Sequence, residues 1–288
     1  MSQNNPRLGI LLMVATTFVF AVQDGLSRYL AGEYNTIMII MLRYWFFAAF
    51  VVTLFAMRKG GICRVARTEL PMLQILRGVL LVAEICVTVF AFVKLGLVES
   101  HAIFACYPLL IAALSGPMLG ERVGWRRWVA IGIGFIGVLV ILRPGIMVFS
   151  PIALIPLAAS LMFAVYGLLT RYVARKDSAE TSFFWTGIAG AVAITLIGPF
   201  FWQPIARADW WIMGILCVTG VGGHYLLIKA YAIAEASTVQ PFAYFQLVFA
   251  AIIGLTIFHE NLDPWIALGA GIVVSSGLFT LWRARRTA

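Results

Sequence analysis

The stretch FAVQDGLSRY at residues 20–29 returns as FAVYGLLTRY at residues 163–172, at a constant offset of 143 positions (163 minus 20). A second echo, at an offset of 139 or 140 positions, pairs four residues late in one half with four late in the other: Glu121, Trp125, Gly137 and Arg143 with Glu260, Trp265, Gly277 and Arg283. The chain is therefore expected to contain two related halves, and the character of their segments decides the fold.

The composition is that of a membrane protein. Of the 288 residues, 62% are apolar and 11% are charged, whereas about a quarter of a soluble domain is charged. The apolar residues fall in blocks long enough to cross a bilayer, which takes ~20 residues per helix. We predict spans at residues 8–31, 34–57, 70–93, 97–119, 125–142, 150–173, 180–202, 209–232, 235–258 and 263–282. Because the connections between the third and fourth spans and between the eighth and ninth spans are very short, nine spans are the main alternative to ten.

Five spans in each half place the second half upside down relative to the first. The expected fold is an all-α integral membrane protein of ten transmembrane helices, arranged as two inverted five-helix repeats at residues 8–143 and 150–283. Inverted repeats are typical of secondary transporters, whose substrate sites lie where the repeats meet.

The basic residues predict the topology. If the N-terminus is cytoplasmic, fourteen of the 21 Lys and Arg residues lie on the cytoplasmic side, four lie outside, and Arg43, Arg77 and Lys229 lie within spans. Such a bias indicates a multi-pass protein with both termini in the cytoplasm. The net charge of +9 is thus a topology signal with a secondary attraction to anionic lipid, and no nucleic-acid partner is expected.

The sequence predicts neither a metal nor a cofactor. The four cysteines are isolated, without a C-x-x-C pair, and no phosphate-binding loop or nucleotide-hydrolysis motif is present. ATP-driven transport by this chain alone is therefore not expected.

Two related motifs carry a family resemblance. GERV at residues 120–123 and HENL at residues 259–262 are each followed by a Trp and a Gly-rich last span, and an Arg stands early in the second span at Arg43. This set resembles the EamA domain of the drug/metabolite transporter superfamily, present twice over nearly the whole chain. His259 departs from the pattern, in which Gly is usual. Residues 120–145 are similar to bacterial members proposed to carry riboflavin or S-adenosylmethionine.

The resemblance implies ten helices, inverted halves and transport of small organic metabolites. We expect a secondary transporter or exchanger in the bacterial inner membrane that works by alternating access on an amino acid, S-adenosylmethionine or a riboflavin-like compound. A proton is the candidate coupling ion, and both a monomer and a homodimer remain open. The alternatives are a membrane-embedded enzyme, disfavoured because His259-Glu260 lacks a second His four residues on, and a non-transporting scaffold or channel.

Ionisable side chains inside spans are the first candidates for the substrate site, because a charge in hydrocarbon is costly. Glu84 is the deepest acid, and His224 lies at similar depth in the eighth span. Both are predicted to line a central site, with Glu84 as the proton-coupling carboxyl. The alternative for Glu84 is a structural bridge to Arg77, two helical turns earlier.

Four residues are candidates for gating or coupling: Asp24, Arg43, Arg77 and Lys229. Asp24 and Arg43 are predicted to form a salt bridge near the outer side, either structural or as a gate. Only one of Gln23 and Asp24 is expected to face inward, because consecutive helical residues diverge by ~100°. Lys229 either reaches the cytoplasmic headgroups or contacts a substrate carboxylate.

Prolines interrupt the fourth and ninth spans, at Pro108, Pro117 and Pro241. Paired broken helices are a pointer to a transporter site. The candidate substrate contacts nearby are His101, Tyr107, Gln240, Tyr244 and Gln246, together with Tyr166 of the sixth span. At the offset of 139, His101 matches Gln240 and Tyr107 matches Gln246, which predicts one cavity lined from both halves; the alternative is bonding between neighbouring helices. Glu121 and Glu260 are each expected to organise the loop that follows.

Overall fold

Long apolar segments become helices because only a helix satisfies its own backbone hydrogen bonds in hydrocarbon. The computed structural model describes residues 6–120, 124–142, 151–234, 239 and 242–287, without the side chains of residues 6, 126, 127 and 280–287. Every regular element in these ranges is an α-helix or a short 3-10 turn.

The helices alternate with short connections along the chain. In the first half they are α1 (Pro6–Glu33), α2 (Thr36–Ala56), α3 (Gly61–Ala66), α4 (Pro71–Leu95), α5 (Leu97–Phe104), α6 (Tyr107–Leu119) and α7 (Trp125–Leu142). In the second half they are α8 (Leu154–Val173), α9 (Ala179–Thr195), α10 (Trp210–Ile233), α11 (Phe245–Thr256) and α12 (Pro264–Thr287). The 3-10 turns are Pro151–Ala153, Gly198–Phe201 and Arg207–Asp209.

Six helical segments in the described ranges are long and apolar enough to cross a membrane. They are Arg7–Glu33, Thr36–Ala56, Pro71–Leu95, Leu97–Leu119, Pro151–Val173 and Arg207–Ile233. Shorter apolar helices occur at Trp128–Leu142, Phe245–Thr256 and Pro264–Phe279. The described chain is thus a helical, multi-pass membrane protein.

The predicted fourth span is broken in two. α5 ends at Phe104, α6 begins at Tyr107, and Pro108 stands in the first turn of α6, where its missing N–H is tolerated. Pro117 lies inside α6 without ending it. The interruption predicted at Pro108 is therefore confirmed, and the one predicted at Pro117 is wrong because α6 continues through this residue. Pro241 lies outside the described residues.

A single glycine joins α4 to α5. Gly96 has a φ of 87°, a conformation that side chains with a Cβ rarely adopt. A Cβ at this position would also come within 2.8 Å of the Glu260 carboxylate. The very short connection predicted between the third and fourth spans thus depends on Gly96.

The two halves interleave instead of forming separate bundles. α1 packs on α10 and α11, while α8 packs on α4 and α6. α2 contacts α9 and α10, α4 contacts α9, and α7 pairs with α12. Helices of both halves therefore surround the centre of the protein.

Glycines on α9 and α10 allow this close approach. The ring of Tyr44 on α2 occupies the place of a Cβ at Gly190, and the Phe20 ring on α1 does so at Gly223. Small residues at helix interfaces let backbones pack tightly in membranes. These glycines of α9 and α10 thus let α1 and α2 pack closely against the two helices.

Candidate functional site

A small cavity lies where helices of both halves meet. Its volume is about 40 Å³, which is enough for a few water molecules. Its polar lining consists of Gln23, Asp24, Arg43, Glu84, Thr88, His101, His224 and Gln246. Its apolar lining consists of Phe20, Ile85, Val89, Phe104 and Phe163.

The lining side chains come from helices far apart in sequence. α1 contributes Gln23 and Asp24, and α2 contributes Arg43. From the second half, α10 contributes His224 and α11 contributes Gln246. The cavity thus combines both halves, as expected for a substrate site between repeats.

Asp24 joins three helices at this cavity. Gln246 donates a hydrogen bond from Nε2 to Asp24 Oδ2 at 3.0 Å. His101 Nε2 lies 3.2 Å from the same oxygen, although the angle is not that of a hydrogen bond and Nε2 has no other partner among the described residues. The pair is an ion pair when His101 is protonated. Asp24 therefore connects α1 to α5 and α11.

Arg43 faces His224 instead of Asp24. The Arg43 Nη2 atom lies 3.3 Å from His224 Nε2, and none of the ion pairs found among the described residues includes Arg43. The predicted salt bridge between Asp24 and Arg43 is therefore wrong. The reason is that each side chain turns toward a helix distant in sequence, α5 and α11 for Asp24 and α10 for Arg43.

The contact with Arg43 determines which ring nitrogen of His224 carries the proton. Arginine can only donate hydrogen bonds, so His224 Nε2 must accept and the neutral ring carries its proton on Nδ1. This Nδ1 atom is buried and has no partner among the described residues. His224 therefore offers a free donor beside the cavity, with the Phe20 ring centroid 5.0 Å from its own.

Glu84 is bonded within its own helix. Thr88, one turn later on α4, donates to Glu84 Oε1 at 2.5 Å, and both residues line the cavity. The alternative bridge from Glu84 to Arg77 is absent from the described structure. Seven residues along a helix correspond to ~10 Å, and the two side chains point to different neighbours.

Arg77 instead joins α4 to α8 and α9 away from the cavity. Its guanidinium donates to Gln74 Oε1 at 2.9 Å, to Tyr166 OH at 3.2 Å and to Thr170 Oγ1 at 3.3 Å. A fourth bond goes to the Ser182 carbonyl at 2.5 Å. With its side chain fully buried and bonded, Arg77 has the geometry of a structural anchor.

Some predicted contacts lie behind the cavity wall. The Tyr107 ring packs on Phe104 and Phe163, with centroids 5.2 and 5.0 Å apart. Tyr166 holds Arg77, and Tyr244 packs in a second apolar cluster with α7 and α12. None of these three is part of the cavity lining, because the bulky rings fill space between helices.

One further predicted residue lies away from the cavity, and three lie outside the residues that the structure describes. Lys229 on α10 lies over the Tyr225 ring, 5.5 Å from its centroid, and is not part of the lining. Gln240, Glu121 and Arg143 lie outside the described residues. The described predicted residues that line the cavity are Asp24, Arg43, Glu84, His101, His224 and Gln246.

Both Gln23 and Asp24 line the cavity, so the prediction that only one of them faces inward is wrong. α1 runs through the centre and packs on α4, α10 and α11. Two side chains that leave this helix in neighbouring directions, Gln23 and Asp24, can therefore both reach the cavity. The Gln23 Oε1 atom is buried and has no partner among the described residues.

Sequence reasoning missed Thr88 and the aromatic lining. Thr88 stands four residues after Glu84, a spacing that puts two side chains on one helix face. Phe20 and Phe163 are the first residues of the two copies of the repeated stretch, and both line the cavity. The repeat signal thus contained two lining residues that an inventory of polar groups overlooks.

Glu260 also has a different role from the one expected. Its carboxylate accepts from the backbone N–H groups of Leu97 and Val98, at 2.8 and 2.7 Å, and pairs with Arg28. The side chain thus caps the start of α5 across the fold, whereas the sequence predicted an effect on the loop that follows.

The described residues contain no group of three or more His, Cys, Asp or Glu side chains able to hold a metal ion. The lining of the cavity offers hydrogen-bonding groups, charged groups and aromatic faces. Such a lining suits the binding of a small polar or amphipathic molecule.

Comparison with known proteins gives a family-level match. The sequence model of the EamA-like transporter family matches residues 7–143 and again residues 150–282. The chain is 25% identical to an S-adenosylmethionine uptake transporter of Rickettsia prowazekii (strain Madrid E), covering 97% of this chain and 94% of the relative.

Other relatives carry different names. A riboflavin transporter of Vibrio cholerae serotype O1 is 28% identical, covering 99% of this chain and 97% of that protein. A pseudopaline exporter, CntI, of Pseudomonas aeruginosa is 24% identical, covering 96% and 97%. One solved crystal structure superposes with a TM-score of 0.68 at 18% identity over 99% of each chain, and at that identity the likeness shows the fold alone.

Proposed function

Because the chain belongs to the EamA-like transporter family, a small-metabolite transporter family by the names of its relatives, we propose that it works as a secondary transporter or exchanger by alternating access. The proposed location is the bacterial inner membrane, with both termini in the cytoplasm, as the distribution of Lys and Arg favours. The proposed substrates are an amino acid, S-adenosylmethionine or a riboflavin-like compound.

The observation that carries this proposal is the polar cavity between the halves. Five ionisable side chains line it: Asp24, Arg43, Glu84, His101 and His224. The Gln246 amide, which is hydrogen-bonded to Asp24, lies in the same lining. Ionisable groups are costly inside a membrane and mark substrate or ion pathways.

The proposed architecture is ten spans in two inverted repeats, residues 8–143 and 150–283. Two sequence echoes and a family model that matches twice support the duplication. The packing supports the duplication too. If α1, α2 and α4 correspond to α8, α9 and α10, the contact of α1 with α10 corresponds to that of α8 with α4. The contact of α2 with α10 then corresponds to that of α9 with α4.

Alternating access agrees with the size of the cavity. Sites that hold a drug-sized molecule enclose roughly 300–1,000 Å³, several times the 40 Å³ found here. In the proposed cycle the halves move apart on one side to admit the substrate and then close around it. Glu84 is the proposed carrier of a coupled proton, since it is a buried carboxyl with one described partner, Thr88.

Counterflow in proteoliposomes tests the proposal. Vesicles containing the purified chain are preloaded with unlabelled amino acids, flavins or S-adenosyl compounds and diluted into trace label of the same compound. A carrier concentrates the label transiently without ATP or an ion gradient, whereas a channel only equilibrates it. An enzyme would change the label chemically, which chromatography of the vesicle contents detects. Absence of counterflow for every compound contradicts the proposed function.

The proton-coupling role of Glu84 has its own test. Glu84→Gln, compared with Glu69→Gln at an exposed position, is expected to lose pH-gradient-driven uptake while retaining counterflow. Wild-type rates of Glu84→Gln across pH 5 to 8 would exclude the role.

A further inference from the structure

Two ionisable groups of opposite sign line the cavity without an ion-pair partner among the described residues. They are Arg43 on α2 and Glu84 on α4. The third charged group, Asp24, already has Gln246 and His101 beside it. The cavity therefore presents one uncompensated base and one uncompensated acid.

Arg43 is held in place by a neutral group. Its side chain is almost fully buried, at 3% exposure, and its described hydrogen bond goes to His224 Nε2. A guanidinium carries five N–H donors in a planar fork that matches a carboxylate. One bond to an imidazole leaves most of these donors for another acceptor.

The absence of a side chain at Gly220 on α10 leaves room for the guanidinium of Arg43. Gly220 on α10 lies so close that a Cβ there would stand 2.7 Å from Arg43 Nε. Beside it, His224 presents a buried Nδ1 donor with no described partner. Arg43 and His224 thus form a donor-rich region on the α2 and α10 side of the cavity.

Glu84 provides the complementary acceptor. It too is 3% exposed, and the Thr88 hydroxyl binds its Oε1 atom. Nearby, Gln23 Oε1 is another buried acceptor with no described partner. The α1 and α4 side of the cavity is therefore rich in acceptors.

An apolar wall completes the lining. The rings of Phe104 and Phe163 lie with their centroids 5.5 Å apart, and Ile85 and Val89 stand beside them in the lining. Aromatic faces of this kind attract planar groups and cations.

We propose that the cavity binds an amphoteric metabolite, with its carboxylate on Arg43 and a cationic group on Glu84, while its apolar part packs on Phe104 and Phe163. The assignment rests on the proposed transport function and narrows its substrate. Among the compounds that the relatives are named for, it selects S-adenosylmethionine, which carries a carboxylate and two cationic groups, over riboflavin, which carries neither.

The physical reason is the cost of uncompensated buried charge. Removing an ion from water costs several kcal/mol unless a partner restores the interaction. A ligand with both charges compensates both groups at once, whereas a ligand lacking the carboxylate leaves Arg43 without an anion. The site should therefore bind such a ligand about tenfold or more weakly than a ligand that has the carboxylate.

Counterflow with a matched set of probes tests the assignment. The set contains S-adenosylmethionine, its decarboxylated form, its form without the α-amino group, S-adenosylhomocysteine without the sulfonium charge, and riboflavin. The readout is the ratio of rates for two probes within one preparation. This ratio does not depend on how much of a variant is folded.

Arg43→Gln is expected to remove the preference for S-adenosylmethionine over its decarboxylated form, and Arg43→Lys to retain part of it. Two probes each lack one of the two cationic groups: the form without the α-amino group and S-adenosylhomocysteine. Glu84→Gln is expected to remove the preference for S-adenosylmethionine over at least one of them. Lys94→Gln and Glu69→Gln, which remove the same charges outside the cavity, should keep the wild-type ratios.

The outcomes separate this inference from the proposed function. Counterflow of riboflavin with none of the S-adenosyl compounds would overturn the amphoteric site while leaving the transporter standing. Unchanged ratios in Arg43→Gln and Glu84→Gln would overturn the assignment of the two residues. Absence of counterflow for every probe, and also for the amino acids of the first test, would contradict both the site and the transporter.

Discussion

The Oε1 atom of Glu260 lies 2.8 Å from the backbone nitrogen of Leu97, so a residue in the connection before α12 caps the start of α5. The first backbone N–H groups of a helix have no partner within the helix. A carboxylate at this end also interacts favourably with the positive end of the helix dipole. Arg28, over the ring of Phe258 at 4.1 Å from its centroid, pairs with the same carboxylate. One side chain thus ties α1 and α5 to the last connection of the second half.

Glu260→Ala should lower the free energy of unfolding in detergent by about 1–2 kcal/mol, because it removes a helix cap and leaves Arg28 without its carboxylate. Glu260→Gln, which retains one acceptor oxygen, should lose less. Chemical denaturation measures both. Glu33→Ala, at an exposed position on α1, is the control and should change stability by less than about 0.5 kcal/mol. Equal stability of Glu260→Ala and wild type would contradict the capping role.

Arg77→Met should destabilise the protein by about 3 kcal/mol or more, since it leaves several buried acceptors without a donor. Arg58→Met is the matched control, because Arg58 pairs with Glu180 at the surface and its side chain is 43% exposed. Exposed ion pairs contribute at most about 1 kcal/mol. Denaturation midpoints of the two variants test the difference.

The same Arg77→Met variant separates stability from transport. Arg77 does not line the cavity, so the counterflow ratios between probes should remain those of the wild type in the folded fraction. A change in these ratios would show that Arg77 acts on the substrate after all.

Asp24 and Gln246 should be energetically coupled. Gln246→Leu removes the donor to a buried carboxylate, and Asp24→Leu leaves the Gln246 amide unbonded, whereas the double variant leaves neither group alone. A double-mutant cycle on unfolding free energies should give a coupling of about 1–2 kcal/mol. The cycle of Asp24→Leu with Arg58→Met should be additive. Additivity in the first cycle would mean that the 3.0 Å contact contributes nothing to stability.

Tyr34 should make stability depend on pH in the alkaline range. Its hydroxyl donates to Asp209 Oδ2 at 2.6 Å, and this hydrogen bond raises the pKa of Tyr34. A raised folded-state pKa means that the stabilisation is complete below the unfolded value of about 10 and is lost as the pH rises through the folded value.

Tyr34→Phe should therefore show a shallower loss of stability between pH 9 and 11 than the wild type. Unfolding midpoints measured across this range give the difference between the two curves. Tyr172→Phe serves as the control, since Tyr172 is an exposed tyrosine whose ring lies near Arg175. Parallel curves for Tyr34→Phe and wild type would exclude the contribution.

Part of the fold and of the site could be predicted from local sequence. Hydrophobic blocks predict membrane helices because hydrocarbon leaves the backbone no other partners. Glu84 and His224 could be singled out because a charge at that depth is costly anywhere along the chain. The family assignment, too, followed from motifs at residues 120–123 and 259–262 together with Arg43, and the family comparison confirms it.

The partners of these residues could not be predicted, because each comes from a distant part of the chain. Arg43 bonds His224, 181 positions away, and Asp24 bonds Gln246, 222 positions away, whereas the sequence predicts a salt bridge between Asp24 and Arg43. Depth along a helix gives the height of a side chain but not the direction in which it points.

The sequence by itself determined that this protein is a helical membrane protein of the EamA-like transporter family and which few ionisable groups it buries, because apolar length and the cost of buried charge are properties of each segment. Only the tertiary structure decided that Arg77 anchors α8 and α9 while Glu84, on the same helix, lines the cavity. The physical reason is that a buried polar group takes its role from the donors and acceptors that other helices bring to it.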